Sequence, residues 1–376
     1  MGTTPVALLL ACGLTAQVQG DFDDFAAVLE ELAIQSSMPG MSAAIVHDGE
    51  VVWSQGIGLA DIENQILAEP DTRYRLASCS KPLASVLVMQ LVEKGELTLD
   101  APMNRFWLPS WFAPDPARYA DGTILLRHVL SHTSEGTPGE SYAYNGNTFA
   151  DVTFVLEQVT GLSYPQLLQE RIFDPAGMRR SAPGHTAPGK RELVELAPSY
   201  SWDGQENVRV PFRIMDPDPR IDLTRFNAVT MPDEAIRRRR EWLGDGFAHW
   251  NAGCSSSGVV STVLDLAAFD IALDAGRLIS AENRETMWTP ASTRSGEALP
   301  YGLGWFVQEV EGKRVLWHYG WLPPTVSALY VKVPEEKLSF FLLSNSDRLS
   351  ADMPWTQLGV TASPYARAFL AEFVGK

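Results

Sequence analysis

Ser78, Cys79, Ser80 and Lys81 set a hydroxyl and an amine three residues apart, just ahead of an apolar run. On a helix that spacing stacks the two side chains on one face, so the Lys81 amine can reach the Ser78 hydroxyl. A serine hydroxyl is a poor nucleophile until a neighbouring base removes its proton. Lysine can be that base only if burial or nearby positive charge brings its pKa down from about 10.4 towards neutrality. Leu83, Val86, Leu87, Val88, Met89 and Leu91 make the segment that follows almost wholly apolar. A helix that apolar is a buried one, and its N-terminus adds positive potential. The predicted chemistry is acyl transfer through Ser78. Alone the motif is weak, because a capping serine followed by a surface lysine is spelled the same way.

The remaining reactive side chains form no comparable pattern. Of six histidines, only His128 and His132 stand at i,i+4 spacing, and no glutamate follows the first as a metalloprotease helix requires, so both read as structural. Outside the first 20 residues the cysteines are Cys79 and Cys254, too few for a disulfide-stapled scaffold; whether they pair is not legible from their positions. No metal or organic cofactor is implied.

These residues need elements to hold them. Residues 21–35 carry apolar side chains at helical spacing and end before Pro39-Gly40. Met41–Val46 and Val51–Gly58 read as strands of an antiparallel hairpin turning at residues 47–50. Asp71–Ala77 reads as a strand or loop delivering Ser78 to a helix over about 80–94. From about 97 to 251 the chain is helical in character, with 202–250 a long surface excursion that could cover a cleft. Thr262 caps a helix to Asp274, strands follow over 301–310, 314–318, 325–333 and 338–344, and Tyr365–Val374 is a closing helix. The expected fold class is α+β: an antiparallel sheet flanked by N- and C-terminal helices, with a mainly helical domain inserted. The expected division is residues 21–80 with 262–376 for the sheet domain and 81–261 for the insertion.

Several stretches in order resemble the serine β-lactamase and penicillin-binding superfamily, in its class C β-lactamase-like branch with D-alanyl-D-alanine carboxypeptidases, D-aminopeptidases and family VIII carboxylesterases. They are Gly56–Asp61, Arg75–Pro82, Leu97–Pro102, His128–Ser134, Tyr301–Trp305 and His318–Gly320, within a similarity running from about Met41 to Ser344. The resemblance implies a β-lactamase/transpeptidase-like fold and a second catalytic element of the form Tyr-x-Asn. Tyr144 takes the tyrosine place, and Gly146 stands where the family has asparagine, with Asn145 or Asn147 as candidates to replace the lost amide. Tyr144 would accept the serine proton and return it to the leaving group, titrating low beside cationic neighbours. The resemblance also implies an oxyanion hole from the backbone N–H groups of Ser78 and Trp321. His318, Tyr319 and Gly320 match the family's Lys-Thr-Gly, so His318 would offer substrate a weaker, pH-dependent charge and Gly320 would let it approach the strand. Trp317, Trp321 and Leu322 would form an apolar rim.

Composition bounds the partners. The chain has 46 acidic against 30 basic side chains, net −16, a field that repels nucleic acid and anionic lipid surfaces. Its one basic cluster, Arg237–Arg240, reads as a solvated helix face. Residues 1–20 lack charge and read as an export signal, with Leu9–Cys12 offering a lipoprotein site as the alternative; the stretch is too short and interrupted to span a bilayer. The expectation is an exported serine hydrolase for a small ester or D-amino-acid peptide or amide. A β-lactamase, or a catalytically silent binding module of the same fold, are the alternatives.

Overall fold

A computed structural model describes residues 22–106, 116–184, 195–210, 254–351 and 353–374. The export segment with Cys12, the Arg237–Arg240 cluster and positions 211–250 of the excursion lie outside the described residues. The start of that excursion carries a two-stranded ribbon, β5 (Ser199–Trp202) with β6 (Asn207–Val210).

Phe22, Phe25, Leu29 and Ala33 are buried on one side of helix α1 (22–35), as their spacing predicts. The chain then enters β1 (Gly40–His47) and turns back through β2 (Glu50–Asp61) to the short β3 (Ile66–Leu67). The other half of the sheet comes from β8 (Phe306–Val310), β9 (Lys313–Leu322), β10 (Val326–Val333) and β11 (Leu338–Ser344). The seven-stranded order is β3-β2-β1-β11-β10-β9-β8, with every pair antiparallel.

Strands β1, β10 and β11 are buried on both faces, and period-two alternation divides their side chains between two cores. Met41, Ala43, Ile45, Leu329, Val331, Phe340 and Leu342 face α1 and the closing helix, which covers Pro364–Phe373. Ala44, Val46, Ala328, Tyr330, Phe341 and Leu343 face the helix Lys81–Glu93, hereafter α2, and the helix Val263–Asp274. The sheet is thus the middle of three layers, the α+β arrangement the element order predicts. Each large apolar side chain so buried contributes roughly 1.5–3 kcal/mol.

Thr262 caps the helix Val263–Asp274 by accepting the Asp265 N–H at 3.0 Å. The strand expected over 301–310 is shorter, because Gly304 turns the chain with φ +79 and pairing resumes only at Phe306. In consequence β8 pairs with β9 only over Lys313–Trp317, and His318–Leu322 form an edge with no strand beyond them among the described residues.

Candidate active site

The edge of β9 runs beside the segment that carries Ser78. Ahead of it, β4 (Tyr74–Arg75) pairs with β7 (Val260–Ser261), and the Leu76 N–H donates to the Val259 carbonyl at 2.9 Å. Ala77 then takes φ +44, left-handed backbone that a side chain resists, and a single tight turn over Ala77–Ser80 leads into α2. The Cys79 thiol donates to the His318 carbonyl at 3.4 Å, joining this turn to β9. A Cβ on Gly320 would lie 2.2 Å from the Leu76 carbonyl oxygen, so glycine at 320 is required for β9 to pack on the nucleophile segment itself. The neighbour that approaches Gly320 closely is thus the protein's own backbone, where substrate approach is expected from the sequence.

Ser78 is half-buried, whereas Lys81 is buried completely. The Lys81 amine donates to Ser78 Oγ and to the Ser256 carbonyl, both at 2.9 Å. The ring of Tyr144 lies 5.0 Å from Nζ and that of Phe149 5.4 Å. Burial lowers the Lys81 pKa to about 7, against smaller opposing effects of Cys254 and Cys79. No carboxylate pairs with this amine among the described residues.

Tyr144 reaches the site from the loop before the helix Gly146–Ala150. Its hydroxyl is buried and makes no hydrogen bond among the described residues. Burial raises its pKa well above 10, the nearby Ser78 hydroxyl lowers it less, and Tyr319 and Tyr142 push it further up. The expectation that this phenol titrates low is therefore corrected: an apolar, aromatic surround holds it protonated, suited to giving a proton rather than taking one.

Asn145 caps the helix Gly146–Ala150, its Oδ1 accepting from the Asn147 and Thr148 N–H groups at 3.0 and 3.1 Å. Its Nδ2 donates to Glu135 at 2.8 Å, so this amide is already committed; Asn147 is exposed on that helix. His318 is wholly buried, not on the cleft surface. Its Nδ1 lies 2.7 Å from the Tyr319 carbonyl, which can only accept, so Nδ1 carries the proton and Nε2 accepts from the Tyr301 hydroxyl at 2.8 Å. Burial, then the Lys81 charge, holds its pKa well below 6.5. The expected pH-dependent charge for substrate is corrected accordingly to a neutral ring in the wall. Of the expected rim, Trp321 and Leu322 are exposed, whereas Trp317 is buried in the outer core. Cys79 and Cys254 are free thiols.

Two neighbours were not singled out for catalysis from the sequence. The His132 ring packs at a tilt of 37° against that of Tyr144 with centroids 4.3 Å apart, and its Nδ1 accepts the Asn145 N–H at 3.1 Å, which fixes the turn presenting Tyr144. Its signals were its i,i+4 spacing from His128, which read as structural, and its place in the His128–Ser134 stretch. Ser256, whose carbonyl holds the amine, carried no signal at all. No group of three or more His, Cys, Asp or Glu able to hold a metal ion occurs among the described residues.

A model of the family described as "Beta-lactamase" matches residues 25–360. Esterase EstB of Burkholderia gladioli is 38% identical over 108 residues, 29% of this chain and 27% of that protein. A D-aminopeptidase of Brucella anthropi is 26% identical over 310 residues, 75% of this chain and 51% of that one. Among solved structures, the octameric penicillin-binding protein homologue from Pyrococcus abyssi superposes with a TM-score of 0.69 at 21% identity, over 93% of this chain and 77% of that one. The curated relatives matched along most of this chain are longer, and the matches span 66%, 61% and 51% of three of them.

Proposed function

This chain belongs to the beta-lactamase family, and from that premise we propose that it is a serine hydrolase working through an acyl-enzyme on Ser78. The carrying observation is the wholly buried Lys81 amine, 2.9 Å from the Ser78 hydroxyl. Near neutral pH a large share of that amine is uncharged, and in that form it takes the Ser78 proton as Oγ attacks a carbonyl carbon. The negative oxygen that forms is received by the backbone N–H groups of Ser78 and Trp321. Tyr144, kept protonated by its surroundings, passes a proton to the departing oxygen or nitrogen and is reprotonated through the Lys81 ammonium. The carbonyl carbon–leaving-group bond breaks, leaving an ester on Oγ that water then hydrolyses.

The substrate is a small ester or a D-amino-acid peptide or amide. The activities named for the esterase and D-aminopeptidase relatives support this reading. The neutral, buried His318 supports it further, since a β-lactam carboxylate would find no cation at that place. The open edge His318–Leu322 suits an extended peptide, and exposed Trp321 and Leu322 suit an apolar group. Export rests on the uncharged residues 1–20 and is checked by sequencing the N-terminus of the mature protein.

Fluorophosphonate labelling of native protein and Ser78→Ala, with p-nitrophenyl butyrate, D-Ala-p-nitroanilide and nitrocefin side by side, tests the reading. Ser78-dependent labelling with turnover of the first or second substrate is expected. Preferred turnover of nitrocefin would make it a β-lactamase. Neither label nor turnover would leave a silent binding module.

A further inference from the structure

A lysine ammonium has three N–H donors, and among the described residues Lys81 has two acceptors, Ser78 Oγ and the Ser256 carbonyl, each at 2.9 Å. Among the described residues the titratable groups around it are Cys79 and Cys254, the neutral rings of His132 and His318, and Tyr144, with no carboxylate among them. Gly146 stands beside this amine. A Cβ built on it would sit 3.8 Å from Lys81 Nζ and, apart from its chain neighbours and its own helix backbone, meet no other atom of the described residues within 4 Å. Its φ lies outside the left-handed region and it opens the helix Gly146–Ala150, so a larger residue can enter without strain. A side-chain carbonyl one bond beyond that Cβ would come within hydrogen-bond reach of Nζ.

We propose that Gly146 is a positioning residue for the base: by presenting no side chain it offers the Lys81 ammonium no acceptor from position 146, and so keeps the amine ready to take the Ser78 proton. Asn145 does not fill the gap, because its amide is bound to Glu135 and to the helix start. The inference rests on Lys81 acting as base for Ser78 and adds to burial a second reason that this base is available near neutral pH.

The test compares Gly146→Asn and Gly146→Ala with native protein. Two pH profiles are measured: the rate of fluorophosphonate capture at Ser78, and the titration of Lys81 followed by NMR in protein carrying isotope-labelled lysine. In Gly146→Asn the added amide oxygen bonds the ammonium, and both inflections should move up by about one to two pH units. Gly146→Ala adds the Cβ without an acceptor and should keep the native inflections. Native inflections in Gly146→Asn, or an equal shift in Gly146→Ala, would overturn the proposal. Should Ser78 of the native protein resist capture, the hydrolase reading falls, while the Lys81 titration still decides the role of Gly146.

Discussion

Lys81 and Lys332 are both wholly buried, and what surrounds each amine differs in one respect. Lys332 on β10 meets Asp270 at 2.9 Å and Asp274 at 2.6 Å, both from the helix Val263–Asp274, and Tyr330 donates to the same Asp270. Burial pulls the Lys332 pKa down, but the two carboxylates push harder, so it stands above its ordinary value. Lys81 has a carbonyl, a hydroxyl and two aromatic faces in place of carboxylates, and burial wins. One fold therefore holds a lysine that stays charged and ties two layers together, and another whose proton is mobile.

Exchanging each lysine for methionine should separate these roles. Lys81→Met is expected to lower esterase kcat/KM by at least about 10³-fold while leaving the melting temperature unchanged or higher, because it removes an uncompensated amine. Its effect on stability should also depend on pH. The folded pKa near 7 lies below the unfolded value, so the unfolded chain binds more protons between about 7 and 10.5. The native protein should then gain stability as pH rises through that window, by on the order of a few kcal/mol, and Lys81→Met should lose this slope. Denaturant unfolding at several pH values checks both, and identical slopes in the two proteins would break the contrast.

Lys332→Met should do the reverse. Leaving the wholly buried Asp270 without its cation should cost about 3–5 kcal/mol in urea unfolding, with kcat per folded molecule retained. Because the folded pKa of Lys332 is raised, the stability it provides is present below the usual lysine range and is lost as pH climbs past the folded value.

Tyr144→Phe keeps the ring over the amine and removes only the hydroxyl. A loss of roughly 10²-fold or more in kcat for an anilide, smaller for an ester whose leaving group needs no proton, would mark Tyr144 as the proton donor. Equal losses for both would place its role elsewhere. The smallest effect is expected from Asn145→Ala, which removes the cap of the helix behind Tyr144; about 1 kcal/mol of stability should go, with a modest fall in kcat.

How much of this was legible beforehand can be followed along the chain. The hairpin β1–β2, the apolar α2, the Thr262 cap and the closing helix are local matters of spacing and capping, and they stand within a residue or a few of their expected bounds. The edge of β9 was not readable, because it depends on where β8 begins, and that is decided by Gly304 turning beneath Ser85 of α2. Nor could the sequence show that His318 turns inward to Tyr301, or that Trp317 and Trp321 leave one strand for opposite fates.

Residue types and spacing by themselves determined the layered α+β plan and nominated Ser78 and Lys81, since hydrophobic period and helical rise are properties of neighbouring residues, whereas Tyr144 was named by the resemblance of its stretch to a known family. Protonation was decided only by the tertiary structure. Whether an amine or a phenol keeps its proton depends on solvent removed and charges approached from distant segments, and those distances exist only once Ser256, His132 and β9 have closed around α2.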